Sequence, residues 1–179
     1  TRGEIIAQVR DIQHEIMQQP SVTKRLTNLV LMGMGEPLAN YEAVVGDIRT
    51  ITDADMGLKL AARRVTLSTA GLLAKLPDLR RDLQVKLAIS LNATENRTRS
   101  RLMPINRKYP IEQIIAACRR YQAHPGHRIT FENILLKGVN VAPEDARRLA
   151  KILQPLKAKV NLIPFNEHDG CDFKRPDPA

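Results

Sequence analysis

Gly33-Met34-Gly35-Glu36-Pro37 is the first stretch of the chain whose residue types suit chemistry. Its two glycines allow a tight turn and a close backbone approach to a ligand, and the carboxylate beside them can accept hydrogen bonds from an ammonium group or from hydroxyls. A plain Gly-Pro turn ending a strand explains the same residues, and both readings stand on this stretch alone. Further along, Ser68-Thr69-Ala70-Gly71 offers Ser68 as a donor to a carboxylate and Thr69 as a helix cap. Ser90-Leu91-Asn92 and Pro164-Phe165-Asn166 again end apolar runs in hydrogen-bonding residues. Taken together, these segments suit a ligand with amino, carboxyl and ribose functions. Glu132 lies inside an apolar run and is costly to bury unpaired, so it stands either beside a cation or hydroxyl or on an exposed face.

Metal chemistry finds less support. The chain has 2 cysteines, too few for a disulfide framework or a four-cysteine site. Cys118 shares helical spacing with Ile111, Ile114 and Ile115 and reads as a core thiol, while Cys171, in His168-Asp169-Gly170-Cys171-Asp172, reads as an exposed one. His124 and His127 bracket a Pro-Gly turn without a third ligand, and His14 falls on the polar side of a helix. No metal ligands are expected among them.

The elements that must position these residues follow from periodicity. Ile5, Val9, Ile12 and Ile16 recur at helical spacing from Gly3 to Gln19, with Pro20 and Ser21 as the stop. Strands are expected at 29–32, 65–67, 85–89, 129–136 and 160–163, and helices at 41–51, 71–79, from Ile111 through Cys118, and from Pro143, with Glu144 and Asp145 in the first turn. Residues 53–60 and 96–103 are only weakly marked as helix. Strands alternating with helices predict α/β architecture with a parallel sheet, whose ligands bind at the carboxyl ends of the strands. The segments named above follow strands. The leading helix has no strand before it, so a first strand is expected to be missing and the chain to be a piece of a larger enzyme; a naturally short chain is the alternative. Residues 1–166 read as the core and 167–179 as a tail leaving it.

At 179 residues the chain has the length of about one domain, and no apolar stretch reaches the ~18 residues of a membrane span. Cytoplasmic localisation and no membrane partner are expected. Lys and Arg number 28 against 19 Asp and Glu, a net +9, and the pI is about 9.9. That balance favours a polyanionic partner such as nucleic acid, with a merely basic domain as the alternative. The absence of Trp, with 3 Tyr and 3 Phe, argues against a platform of stacked aromatics for single-stranded bases. Basic candidates near strand ends and the loops after them are Arg63, Arg64, Arg97, Arg99, Arg101, Arg107 and Lys108.

Gly33-Met34-Gly35-Glu36-Pro37, Arg63-Arg64-Val65-Thr66-Leu67-Ser68-Thr69, Leu87-Ala88-Ile89-Ser90-Leu91, Pro104-Ile105-Asn106-Arg107-Lys108-Tyr109 and Asn161-Leu162-Ile163-Pro164-Phe165-Asn166 together resemble the radical S-adenosylmethionine methyltransferases that modify adenine C2 in 23S ribosomal RNA, relatives of the adenine-C8 resistance enzymes. The resemblance implies a partial (β/α) barrel of the radical SAM type, with five parallel strands remaining here. It implies S-adenosylmethionine as cofactor, held by Gly35, Glu36, Ser68, Ser90, Leu91, Asn92 and Asn166, with Asn92 standing where the family pattern has His. It also implies a [4Fe–4S] cluster on a CxxxCxxC loop and a methyl-carrying cysteine. Neither cysteine here has that spacing, so both features are expected outside this chain, with no catalytic residue inside it. Ribosomal RNA is the implied substrate, transfer RNA a further one, and an external electron donor serves the intact enzyme. The chain alone is expected to be inactive. The residues leave two alternatives open: a radical SAM enzyme with another substrate, or a non-catalytic RNA-binding module. They do not fix the oligomeric state.

Overall fold

The computed structural model describes residues 3–19, 26–55, 57–122 and 128–177. The chain divides into two compact units, one comprising Thr1–Ser68 with Ala74–Lys86, the other Thr69–Leu73 with Leu87–Ala179.

The first unit opens with helix α1 (Glu4–Gln18), followed by strand β1 (Leu29–Leu31), helix α2 (Tyr41–Thr52), strand β2 (Val65–Thr69, whose last residue belongs to the second unit) and helix α3 (Leu76–Asp82). β1 and β2 pair in parallel, with Leu29 opposite Val65 and Leu31 opposite Leu67. Val44, Val45, Ile48 and Ile51 lie one helical turn apart on α2 and are buried together with Val65 and Leu67. α1 is anchored at its start, where the Gly3 N–H donates to Asp47 Oδ1 at 3.2 Å. Of its apolar stripe, Val9 is buried whereas Ile12 is half exposed.

The second unit holds strand β3 (Lys86–Ser90, whose first residue belongs to the first unit), helix α4 (Asn96–Leu102), helix α5 (Ile111–Tyr121), strand β4 (Ile129–Leu135), helix α6 (Pro143–Leu153) and strand β5 (Ala158–Pro164). β3 pairs with β4 and β4 with β5, both in parallel. Their shared register places Ser90, Glu132 and Asn161 in one row. Ile89, Phe131 and Ile129 point the other way and are fully buried, as are Ile114 and Cys118 of α5. α6 starts as expected: Pro143 occupies its first turn, and Asp145 Oδ2 accepts from the Ala142 N–H at 3.2 Å. Beyond β5 the chain carries no further helix or strand among the described residues, but it is tied back by the Lys137 N–H, which donates to the Lys174 carbonyl at 2.8 Å.

Five strands and the α/β class are as the sequence predicts, with every pairing within a unit parallel and between strands consecutive in the chain. Three segments differ from the expectation or sharpen it. The helix expected at 71–79 begins only at Leu76, because Gly71 sits at φ 110° and Pro77 belongs in a helix's first turn, where its missing N–H costs nothing. Residues 96–102 form a complete short helix, although their sequence, Asn-Arg-Thr-Arg-Ser-Arg-Leu, has no apolar stripe. No helix forms among the described residues from 53 to 60. The stop at Pro20-Ser21 and the turn with His124 and His127 lie outside the described residues.

Candidate strand-end cofactor site

The residues expected to carry chemistry fall at the carboxyl ends of strands in each unit. In the first unit, β1 runs into Gly33 and Gly35, at φ 114° and 100°, a backbone conformation that a side chain would strain. Glu36 follows and caps the 3₁₀ turn Pro37–Asn40: its Oε1 accepts from the Leu38 N–H at 3.0 Å. The turn reading and the ligand reading of this segment are therefore compatible, since the cap fixes the carboxylate that a ligand would meet. Ser68, at the end of β2, is buried.

In the second unit, the segment Ser90-Leu91-Asn92 leaves β3 with its backbone fully committed. The N–H groups of Leu91 and Asn92 both donate to the Glu132 carbonyl, at 2.9 and 3.2 Å. The carbonyls of Ser90 and Leu91 accept from Arg99, and that of Asn92 accepts from Asn140 Nδ2 at 2.8 Å. Asn92 itself sits at φ 60°, which Asn tolerates better than most residues, and its Oδ1 accepts from the Ile134 N–H at 2.9 Å. Asn140 completes the clasp by bonding the Ile134 carbonyl and the Leu136 N–H. Asn92 is thus a bracket between the ends of β3 and β4, a role the sequence reading did not give it.

Glu132 resolves the choice left open by sequence: it is buried, and the Ser90 hydroxyl donates toward its Oε2 at 3.5 Å. Asn166 lies exposed just past β5, after Phe165, whose N–H donates to the Leu135 carbonyl at 3.2 Å. Gly35, Glu36 and Ser68 belong to the first unit, and Ser90, Leu91, Asn92 and Asn166 to the second.

Among the RNA candidates, Arg63, Arg64, Arg97, Arg101, Arg107 and Lys108 are exposed. Arg99 is not: it is fully buried, its four hydrogen bonds all go to uncharged oxygens, and burial pushes its pKa down to about 10. It therefore leaves the RNA set. Arg101 lies over the Phe173 ring, 5.8 Å from its centroid.

The cysteines behave as their neighbours dictate. Cys118 is buried in the core as expected, and its thiol is pushed up to about 12 by desolvation, whereas Cys171, expected to be exposed, is half-buried in the tail. Among the described residues no group of three or more His, Cys, Asp or Glu could hold a metal. The donors present do not fit an iron–sulfur cluster.

Many classes of parallel α/β protein carry Gly-rich and hydroxyl-bearing turns at their strand ends, and comparison with known proteins selects one: the sequence matches the Radical SAM superfamily over residues 4–150, and the chain belongs to that superfamily. Its members use S-adenosylmethionine and a [4Fe–4S] cluster. Within the superfamily, its relatives are dual-specificity RNA methyltransferases. The chain is 58% identical over 156 residues, 87% of its length, to the dual-specificity RNA methyltransferase RlmN of Desulfosudis oleivorans, and 49% identical over 174 residues to that of Syntrophobacter fumaroxidans. It spans 42% and 49% of those two proteins, about half their length. A crystal structure of a radical SAM methyltransferase from Sphaerobacter thermophilus matches 99% of the chain with a TM-score of 0.93 at 44% identity, again over 51% of that protein. A domain of a pyruvate-formate lyase-activating enzyme from Bacteroides vulgatus shares the fold, with a TM-score of 0.61 at 20% identity.

Proposed function

We propose that this chain supplies the S-adenosylmethionine-binding part of a radical RNA methyltransferase acting on adenine C2 of ribosomal RNA, with transfer RNA as a second substrate, and that it works within a longer polypeptide carrying the cluster ligands and the methyl-carrier cysteine. The observation that carries the proposal is the 58% identity over 156 residues to a dual-specificity RNA methyltransferase. The chemistry of the strand ends supports it. Glu36, fixed by its cap on Leu38, offers an anionic partner to the ligand's ammonium group, with Gly35 letting the backbone approach. Ser68 and Ser90 offer hydroxyls to its carboxylate and ribose, and the Ser90–Glu132 pair keeps that hydroxyl oriented. Leu91 is fully buried, so its share runs through the core packing that fixes the segment, and Asn166 meets the adenine end. The Asn92 amide oxygen already serves Ile134, so its share in binding runs through the backbone it fixes.

When bound, the cofactor supplies the methyl group and, at a cluster held elsewhere in the polypeptide, the radical chemistry. This chain's part is to bind and orient. The exposed arginines and Lys108 supply phosphate contacts, which give affinity without reading sequence. The rest of the polypeptide supplies the cluster, the external electron donor's docking site and base recognition.

Calorimetric titration of the chain with S-adenosylmethionine tests the reading. Weak but saturable binding, lowered about tenfold or more by Glu36→Ala and by Ser90→Ala, is expected, since a charged hydrogen bond contributes about 1.5–3 kcal/mol. Equal affinity in both variants and the unaltered chain would remove these residues from the site.

A further inference from the structure

We infer that Arg99 is a positioning residue for the cofactor segment, a role that rests on the reading of Ser90-Leu91-Asn92 as part of that site. Arginine is almost never fully buried without an acidic partner, because removing its charge from water is expensive. Here Arg99 is 0% exposed and bonds no carboxylate. Its Nε donates to the Leu91 carbonyl at 3.0 Å, and Nη2 donates to the carbonyls of Ser90 at 3.1 Å and Ala70 at 2.7 Å. Nη1 donates to Asn106 Oδ1 at 3.0 Å.

The acceptors are not arbitrary. Ala70 lies just past β2 and Ser90 and Leu91 at the end of β3, so one rigid guanidinium fork locks two strand-end loops together. An ammonium group carries its three donors on a single atom at the end of a flexible stem, so it could not reach all four acceptors in the plane that a guanidinium spans. The fork is itself held. Asn106 turns its amide to the Asn96 carbonyl and the Ser100 hydroxyl, at 3.1 and 2.9 Å, so both ends of α4 and the turn after it brace the guanidinium. Gly71 leaves space beside it: an added Cβ there would lie 3.6 Å from Nη2 and 3.3 Å from Ile114 Cδ1. A short helix with no apolar stripe is explained on this account, because its buried group is the cation that orients Ser90.

Arg99 does not touch the ligand; it holds the backbone of Ser90 and Leu91 and so sets where the Ser90 hydroxyl stands. Errors of about 1 Å in such placement cost up to about a hundredfold in function. The test follows backbone amide signals of Leu91 and Asn92 by NMR while S-adenosylmethionine is added to the full chain, comparing the unaltered protein with Arg99→Ala, Arg99→Lys, Ser90→Ala and a core control, Leu149→Ala in α6. Affinity lowered about tenfold or more in both Arg99 variants, unchanged in Leu149→Ala, and partly restored in Arg99→Ala but not in Ser90→Ala by added methylguanidinium, supports the role. Rescue separates positioning from general stability, which a small cation would not restore selectively at this segment. If Arg99→Ala fails to fold, Arg99→Lys decides. Folded Arg99 variants that bind as tightly as the unaltered chain overturn the inference while leaving the site reading intact. No binding by the unaltered chain overturns the site reading and this inference with it.

Discussion

Replacing Asn92 separates two physical contributions that the structure joins in one residue. Its side-chain oxygen satisfies the Ile134 N–H at 2.9 Å, and its backbone sits at φ 60°. Asn92→Ala loses both advantages. An unsatisfied buried N–H costs about 1–3 kcal/mol, towards the lower end here because the pair is only partly buried. Alanine keeps the Cβ but lacks the short polar side chain that eases Asn into the left-handed region, which costs up to roughly 1–2 kcal/mol more. The expected destabilisation is therefore about 2–4 kcal/mol. Asn92→Gly keeps the first loss and escapes the second, though its greater freedom in the unfolded chain offsets part of that relief. It should lie about 1 kcal/mol above the alanine variant. Asn92→His installs the residue that the family pattern has, and His both tolerates positive φ and offers a neutral ring nitrogen as acceptor, so it should fall within about 1 kcal/mol of the unaltered chain near pH 8. Its stability should then drop below about pH 6, where that nitrogen takes a proton and ceases to accept. Urea unfolding followed by circular dichroism measures all three. Alanine and glycine variants of equal stability, or both within about 0.5 kcal/mol of the unaltered chain, would refute the reasoning.

Other outcomes follow from single groups. Cys118, buried with its thiol pushed up to about 12, should stay unreactive to a thiol reagent at pH 8 until the chain is unfolded, while Cys171 reacts in the folded state; mass spectrometry of the labelled peptides distinguishes them. The Asp82 carboxyl is held below its ordinary range first by the hydrogen bond from Arg81 and next by the Tyr41 hydroxyl. Its contribution to stability is thus present above about pH 4 and lost as the pH falls through the lowered value, a loss that Asp82→Asn should abolish in acid-unfolding curves. The Tyr41 phenol is raised by burial and then by its bond to Asp82, so the fold should weaken as pH climbs beyond about 10, and Tyr41→Phe should flatten that limb. The exposed Arg63, Arg64, Arg97, Arg101, Arg107 and Lys108 should each, on mutation to Ala, weaken RNA binding by a similar factor for any sequence and reduce its salt dependence, as read by filter binding at two ionic strengths.

The strands were legible as short apolar runs, the first three stopping at or just before Gly33, Ser68 and Ser90, and α6 because Pro143, Glu144 and Asp145 mark a helix start through local chemistry alone. What escaped depends on partners far along the chain. Helix α4 has no apolar stripe because its inward group is Arg99, and nothing within residues 96–102 reveals that the carbonyls of Ala70 and Ser90 wait for it. The same blindness turned Arg99 into an RNA candidate. Asn92 looked like a ligand-facing polar residue, and only the packing of β3 against β4 brings the Ile134 N–H and Asn140 to it. Strand-end position was readable from local sequence; the clasp that holds those ends was not.

The most direct measurement of the central claim uses the protein at the full length of its relatives, reconstituted anaerobically with iron, sulfide and a reductant and given unmodified ribosomal RNA with S-adenosylmethionine. Nucleoside mass spectrometry after digestion should reveal 2-methyladenosine, strongly reduced when Glu36 is replaced by Ala or Arg99 by Lys. Methylation at another base or atom, or an active cluster-loaded enzyme that leaves the RNA untouched, would contradict the account.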